Sequence, residues 1–149
     1  MNSGPNTKEQ TCKLNSCLFF STAKLARAFG KIADEAFLKT GLSPSHALLL
    51  YLVNLNDGIQ QKEIGETLHL TPSTVTRLIE KLERKNLVSK KSEGKHVFLN
   101  TTVQGLALQD EIVESWNLLH SGYENILTEE ETARFIEISG KLLKKLDNK

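Results

Sequence analysis

Small hydroxyl side chains and one guanidinium are concentrated in residues 71–77, which have the sequence TPSTVTR. Hydroxyl groups and a planar guanidinium fork can bond to base edges and phosphates, so this pattern is typical of a helix that enters the DNA major groove. The helix is predicted to begin at Pro72, with Thr71 accepting a bond from a free backbone N–H as its cap. The candidate DNA-binding side chains of this helix are Thr71, Ser73, Thr74, Thr76, Arg77 and Lys81.

An apolar stripe on the same helix must hold these polar side chains outward. Apolar residues recur at helical spacing over 75–82, so that side is predicted to be buried. The stripe comprises Val75, Leu78, Ile79 and Leu82. A shorter helix is predicted over about 60–68, where Gly65 lets the next helix approach closely. His69 lies in the turn between them, at a position where a left-handed residue, usually glycine, is common. Histidine is among the non-glycine residues enriched in that conformation, so it can occupy this position. The pair forms a helix-turn-helix unit.

A β-hairpin with a basic tip is predicted directly after the helix pair, whose second helix is expected to end near Asn86. Residues 87–91 and 96–100 have strand character, and they flank a tip in which Gly94 favours a tight turn. Three lysines of this hairpin are candidates to neutralise DNA phosphates: Lys90, Lys91 and Lys95. A hairpin packed beside a helix pair in this way is a wing.

Charge is distributed unevenly along the chain. The formal net charge is only +1, but residues 71–100 contain seven Lys or Arg against three acidic residues, a net charge of +4. Residues 106–138 contain eight acidic residues against one arginine, a net charge of −7. DNA would therefore approach in a preferred orientation. The alternative, charged helix faces that are merely exposed to solvent, stays open on this evidence alone.

The composition is that of a soluble globular protein. Hydrophobic residues make up 39% of the 149 residues and charged residues 25%. No apolar run approaches the roughly 18 residues that cross a bilayer, and the first residues lack the apolar core of a signal peptide. We therefore predict a cytoplasmic protein without membrane association. Cys12 and Cys17 lie too close together near a helix start to predict a structural disulfide.

Two helices are predicted before the helix-turn-helix unit. The first covers about 10–38 and has one apolar face, and Gly41 ends it because glycine readily adopts the left-handed cap conformation. The second covers about 44–55 behind a Ser43 cap. It is apolar on nearly every side, so it is expected to be central.

Two more amphipathic helices are predicted after the wing. Thr101 or Thr102 caps the first, which is expected to run to about residue 127. A capping box formed by Thr128 and Glu131 opens the second. Together with the first helix, these two helices have more apolar surface than one chain of this length is expected to bury.

The order of these elements resembles the MarR family of winged helix-turn-helix regulators, over about residues 12–146. The segments that carry the resemblance are GLS at 41–43, LTPSTVTRL at 70–78, LERKNLV at 82–88 and VFLNTT at 97–102, with Gly105. The resemblance implies a mainly α fold with a small β-hairpin, in which a winged helix-turn-helix domain is flanked by N- and C-terminal dimerisation helices. Residues 1–149 would form one domain, with a DNA-binding lobe at about 42–104 and dimerisation helices at about 10–40 and 105–147.

The resemblance also implies function. It predicts a homodimer that binds double-stranded DNA at a palindromic operator, acts as a repressor, and is released by a small aromatic or anionic effector or by an oxidative signal. The wing departs from the family pattern, which has an Asp-x-Arg motif where this chain has Gly94, Lys95 and His96. Lysine lacks the planar fork of arginine, so more of the specificity is expected from the recognition helix.

Candidate sensing residues follow from the same resemblance. Lys24 and Arg27 could pair with a carboxylate effector, together with His46 at the start of the second helix. Cys17 is a redox candidate, because a helix N-terminus promotes thiolate formation. An interpretation without function is favoured at each position. Lys24 and Arg27 would belong to a polar helix face, His46 would cap its helix, and Cys17 would be a buried, inert thiol.

The sequence predicts no cofactor, metal site or catalytic site. The four histidines have no metal-ligand spacing, and the chain contains no glycine-rich phosphate loop or nucleophile elbow. The main alternative function is a winged-helix protein-interaction module that does not bind DNA. A small helical enzyme would need a cleft of convergent titratable groups, which the sequence does not indicate.

Overall fold

The computed structural model of the protein describes residues 13–147, in which helices surround a small antiparallel sheet. The helices are α1 (Leu18–Ala36), α2 (Pro44–Leu55), α3 (Gln61–Leu68), α4 (Pro72–Arg84), α5 (Val103–Ala107), α6 (Gln109–Ser121) and α7 (Glu129–Leu146), with a 3-10 turn at Leu38–Thr40. The strands are β1 (Ile59–Gln60), β2 (Val88–Glu93) and β3 (His96–Thr101). This is the predicted mainly α fold with a wing.

Local capping signals place most of the helix ends. Gly41 adopts the left-handed conformation, with φ of 72°, after the 3-10 turn that follows α1. The Ser43 side chain accepts a hydrogen bond from the backbone N–H of His46 and so caps α2. At α7 the Thr128 and Glu131 side chains form the predicted reciprocal capping box. The caps at Ser43 and Thr128 are confirmed, and so is the left-handed conformation of Gly41. Gly41 ends the 3-10 turn, however, and not α1, which already ends at Ala36.

Two predicted helices are shorter in the structure. α1 begins at Leu18 with Cys17 as its N-cap. Residues 13–15 are also helical, but a break at residues 16–17 separates them from α1, and residues 10–12 of the prediction lie outside the described part of the chain. The helix predicted to run to residue 127 is wrong in length. Thr102 caps α5, a bend at Leu108 separates it from α6, and α6 ends at Ser121. Just after this end, the Tyr123 ring packs edge-on against Phe29 of α1, with ring centroids 5.4 Å apart.

The sheet contains a strand that the sequence did not indicate. β1 pairs antiparallel with β3, so that Ile59 lies opposite Leu99, and the strand order is β1-β3-β2. A two-residue strand is too short to show an alternating pattern. The tip of the wing is a two-residue turn, Gly94 and Lys95, in which Gly94 has φ of 61°.

The core lies around α2, as its apolar sequence predicted. Its buried side chains include those of Leu49, Leu50 and Val53, and the α4 stripe packs against them. By contrast, α7 buries no residue in the described chain. Exposed apolar residues on α1, α6 and α7 are Leu18, Phe19, Leu25, Phe29, Val113, Trp116, Leu118, Phe135, Ile136, Ile138, Leu142, Leu143 and Leu146. Within residues 13–147, no helix has the length and apolar character that a membrane span needs.

Candidate nucleic-acid interface

The turn between α3 and α4 has the predicted geometry. His69 is left-handed, with φ of 56° and ψ of 48°, and its backbone N–H donates to the carbonyl of Gly65. A Cβ at Gly65 would lie 3.2 Å from the Leu70 carbonyl oxygen and 3.4 Å from Val75 Cγ2. A larger side chain would therefore push the two helices apart, which confirms the reason given for a small residue at this position.

The first turn of α4 carries a cluster of hydroxyl groups. Thr71 is the N-cap residue by position, but its side chain makes no capping bond to a backbone N–H, so that part of the prediction is wrong. Its Oγ1 instead shares hydrogen bonds with Ser73 Oγ at 3.3 Å and Thr74 Oγ1 at 3.0 Å. Arg77 Nη2 donates to Thr74 Oγ1 at 3.4 Å. The four side chains form one polar surface on the outer side of α4.

Thr76 differs from the other hydroxyl residues of α4. Its Oγ1 donates to the carbonyl of Pro72 at 3.0 Å and accepts from Gln61 Nε2 at 2.9 Å. A half-buried hydroxyl whose single proton is already used has little left to offer a base. Gln61, at the start of α3, was not predicted as a site residue, because nothing in the sequence pairs positions fifteen residues apart.

The exposed face of α4 extends beyond the predicted residues. Positions 73, 77, 80 and 84 lie on one side of a helix, opposite the buried stripe of Val75, Ile79 and Leu82. Arg84 thus adds a cation to this face and Glu80 an anion, and both are exposed. Their helical spacing from Ser73 was visible in the sequence and could have identified them.

The three wing lysines are not equivalent. Lys90 Nζ lies 3.5 Å from a carboxylate oxygen of Glu83, and Lys91 Nζ lies 3.1 Å from one of Glu93. Lys95, at the tip, makes no ion pair with any other residue of the 13–147 segment. Its charge is therefore the least compensated of the three.

His46 lies beside the recognition helix. Its Nδ1 is hydrogen-bonded to the Ser43 hydroxyl. Burial lowers the pKa of His46, and the positive charges of Lys81 and Lys85 on and after α4 lower it further. Lys81, a predicted DNA-binding residue, thus lies on the flank of α4 that faces α2.

The environment of His46 makes folding pH-dependent. Because its pKa in the folded state is below the model value of 6.5, the unfolded chain binds the proton more tightly. The free energy of unfolding is therefore expected to fall as pH is lowered through 6.5 towards the folded-state pKa, and to be insensitive to this group above pH 6.5. Urea unfolding at a series of pH values should show a shallower acid-side decline for His46→Gln. An identical decline in both proteins would exclude this role.

The candidate effector residues Lys24 and His46 have separate hydrogen-bond partners in the structure. Lys24 Nζ donates to Asn15 Oδ1 at 3.3 Å and lies 5.0 Å from the centre of the Phe20 ring, and Arg27 is exposed on α1. Among the described residues, no hydrogen bond or ion pair joins either of them to His46. A small cavity of about 220 Å³ instead lies between α2 and α6, where the Tyr51 and Trp116 rings are 5.7 Å apart. Sequence periodicity had assigned Trp116 only to an apolar stripe.

Cys17 is exposed in the structure. The favoured interpretation of this thiol as buried is therefore wrong for the single chain. Cys17 is the N-cap residue of α1, and the neighbouring Leu18 is itself 65% exposed, so the start of this helix has nothing packed over it in the single chain. Its redox role stays a prediction. Among residues 13–147, no three His, Cys, Asp or Glu side chains are placed to hold a metal ion.

The helix-turn-helix unit, its left-handed turn and the antiparallel wing define a winged-helix protein of the kind that binds DNA. Solved structures share this fold. The S. aureus MepR–DNA complex superposes with a TM-score of 0.76 at 20% identity, covering 87% of this chain and 98% of that chain. The PcaV regulator from Streptomyces coelicolor, in complex with its natural ligand, gives a TM-score of 0.79 at 19% identity over 97% and 98% of the two chains.

Sequence comparison finds similarity to one family of regulators. The model of the MarR family matches residues 40–96, which extend from the 3-10 turn to the tip of the wing. The HTH-type transcriptional repressor MdtR of Bacillus subtilis (strain 168) is 28% identical over 111 residues, 72% of this chain and 72% of that protein. Over residues 40–96 the chain is therefore similar to the MarR family of transcription regulators.

Proposed function

We propose that this protein is a dimeric, sequence-specific DNA-binding repressor that releases its operator when an effector binds. The observation that carries the proposal is the outer surface at the start of α4, where Thr71 is hydrogen-bonded to Ser73 and Thr74 and Arg77 donates to Thr74. The cationic wing tip lies across one groove from this surface. Side chains held together in this way need little further ordering when they meet base edges. The repressor MdtR and the DNA-bound MepR structure support this reading of the surface.

The exposed helices support a dimer. α7 is strongly amphipathic, yet its apolar side chains face solvent in the single chain, with Phe135 50% and Leu146 78% exposed. An apolar surface of this extent on α1, α6 and α7 is typical of a subunit interface. A two-fold axis through these helices would present two copies of α4 to one side of a duplex, at half-sites about 34–36 Å apart. The flanking helices are thus the proposed dimerisation region and residues about 42–104 the DNA-binding lobe.

The effector site is proposed to lie where the helices meet the DNA-binding lobe. The cavity between Tyr51 and Trp116 is lined by aromatic rings and by Asn117, which suits a small aromatic molecule with a polar group. Asn54 connects this region to the wing, since its side chain bonds to Thr101, to the Gly105 carbonyl and to Gln109. A ligand that shifts α6 would therefore also displace the base of the wing. A coupling free energy of about 1–3 kcal/mol would lower DNA affinity roughly 5- to 150-fold.

The proposal is tested by measuring binding to random and selected duplexes over a series of salt concentrations. A DNA-binding protein is expected to lose affinity steeply with salt and to prefer the selected sequence by about 10³-fold or more. A protein-interaction module without DNA binding would show neither effect. That result would refute the proposed function.

Lys95→Gln is expected to weaken binding to random and selected duplexes by the same factor. Because the uncompensated Lys95 charge would contact one phosphate, the slope of log K against log salt should become shallower by about 0.9. Lys91→Gln is the matched control, since Lys91 is already paired with Glu93 and should have a smaller effect. Equal effects of the two substitutions would show that the ion pair with Glu93 does not prevent Lys91 from contacting a phosphate.

A further inference from the structure

A groove separates the helix-turn-helix unit from the tip of the wing. It has a volume of about 1020 Å³ and is open to solvent along the start of α3, the turn before α4 and the first residues of β3. Its lining includes the cationic or titratable side chains of Lys62, His69, Lys95 and His96. These come from three different elements, so the fold and not the local sequence brings them together.

An acidic residue from a distant element also enters this groove. Asp147 directly follows α7, and its Oδ2 lies 3.3 Å from Nε2 of His69 in the turn of the helix-turn-helix unit. Glu66 lines the groove too, but it belongs to α3 itself. Asp147 is thus an anion brought to a basic groove from seventy-eight positions further along the chain.

We propose that the groove is a binding site for the phosphate backbone of DNA and that the Asp147 carboxylate occupies part of it as an internal competitor. This inference rests on the proposed DNA-binding function and adds a regulatory contact to it. If α4 enters the major groove of a duplex and Lys95 meets the adjacent minor groove, the DNA backbone between those two grooves must pass between α4 and the wing tip. The protein groove described above lies at that position. The Asp147 carboxylate is next to the His69 ring and shares the groove with Lys62 and Lys95, so a phosphate placed there would meet both the space and the negative charge of the carboxylate.

The competitor is attached to a helix whose position the single chain does not fix. α7 buries none of its residues, so its position depends on what its apolar face packs against. If the partner subunit supplies that surface, any change in dimer geometry moves Asp147 into or out of the groove. The contact therefore links the dimer interface to DNA affinity without requiring α4 to move.

The test compares Asp147→Asn with Glu137→Gln in the full-length protein. Both substitutions remove one negative charge from the same part of the chain, but Glu137 lies within α7 and does not line the groove. Asp147→Asn is expected to raise affinity for a random duplex about two- to fivefold, because it removes one exposed negative charge from the groove, while Glu137→Gln has a smaller effect at physiological salt. Asp147 is exposed, so thermal unfolding of the variant should match that of the wild type.

A double-mutant cycle with Lys62→Gln provides a second measurement. If the carboxylate competes with phosphate for this groove, Lys62→Gln should reduce DNA affinity more in the Asp147→Asn protein than in the wild type. Additive effects, or equal gains from Asp147→Asn and Glu137→Gln, would overturn the competition while leaving the proposed function intact. Salt-independent binding, or none, by all the proteins would overturn the proposed function and this inference with it.

Discussion

Leu142→Glu is expected to convert the protein from a dimer to a monomer and to lower its affinity for a two-half-site operator by about 10²–10⁴-fold. The expected loss is this large because a dimer gains the second half-site contact intramolecularly, whereas a monomer does not. Leu142 lies on the apolar face of α7 with Phe135, Ile138 and Leu146, where a buried carboxylate would be unpaired. Sedimentation equilibrium measures the mass, and a fluorescence anisotropy titration measures the affinity.

Ala133→Glu is the matched control for Leu142→Glu. It introduces the same carboxylate into the same helix, but position 133 lies on the polar side, about half a turn from the apolar stripe. The control is expected to remain dimeric and to bind the operator as the wild type does. If Leu142→Glu also remained a dimer at micromolar concentration, α7 would not form the interface, and the proposed role of the flanking helices would have to be abandoned.

Features set by neighbouring residues were predictable from the sequence. The left-handed turn at His69 requires only that a histidine tolerate positive φ between two amphipathic segments, and the structure has it there. The caps at Ser43 and Thr128 depend on bonds to residues three positions away. The buried side of α4 follows from spacing alone, because a helix places every third or fourth residue on the same face.

Features set by distant residues were not predictable. Gln61 engages the Thr76 hydroxyl, Asp147 reaches His69, and Ile59 pairs with Leu99, yet none of these partners is marked by a local pattern. The Thr71 side chain also had two local alternatives, a backbone N–H or a neighbouring hydroxyl. It forms hydrogen bonds with the hydroxyls of Ser73 and Thr74, and residue type alone does not distinguish the two.

Arg77→Ala is expected to lower affinity for the selected operator by about 1–3 kcal/mol and to relax specificity at one base pair, if the guanidinium makes a bidentate contact to guanine. Arg77 is exposed on the second turn of α4, and its bond to Thr74 orients the guanidinium before DNA arrives. Binding to random duplex should fall much less. Competition against operators substituted at each position would identify the base pair concerned.

Two further variants separate the chemistry of Arg77 from its charge. Arg77→Lys keeps the charge but lacks the planar fork, so it should retain affinity for random duplex while losing much of the preference for the operator. Lys91→Ala should instead weaken all sequences alike and reduce the salt dependence, by an amount limited by its pairing with Glu93. If Arg77→Ala and Lys91→Ala changed operator and random binding by the same factor, α4 would contact only the backbone. Specificity would then have to come from the shape of the DNA.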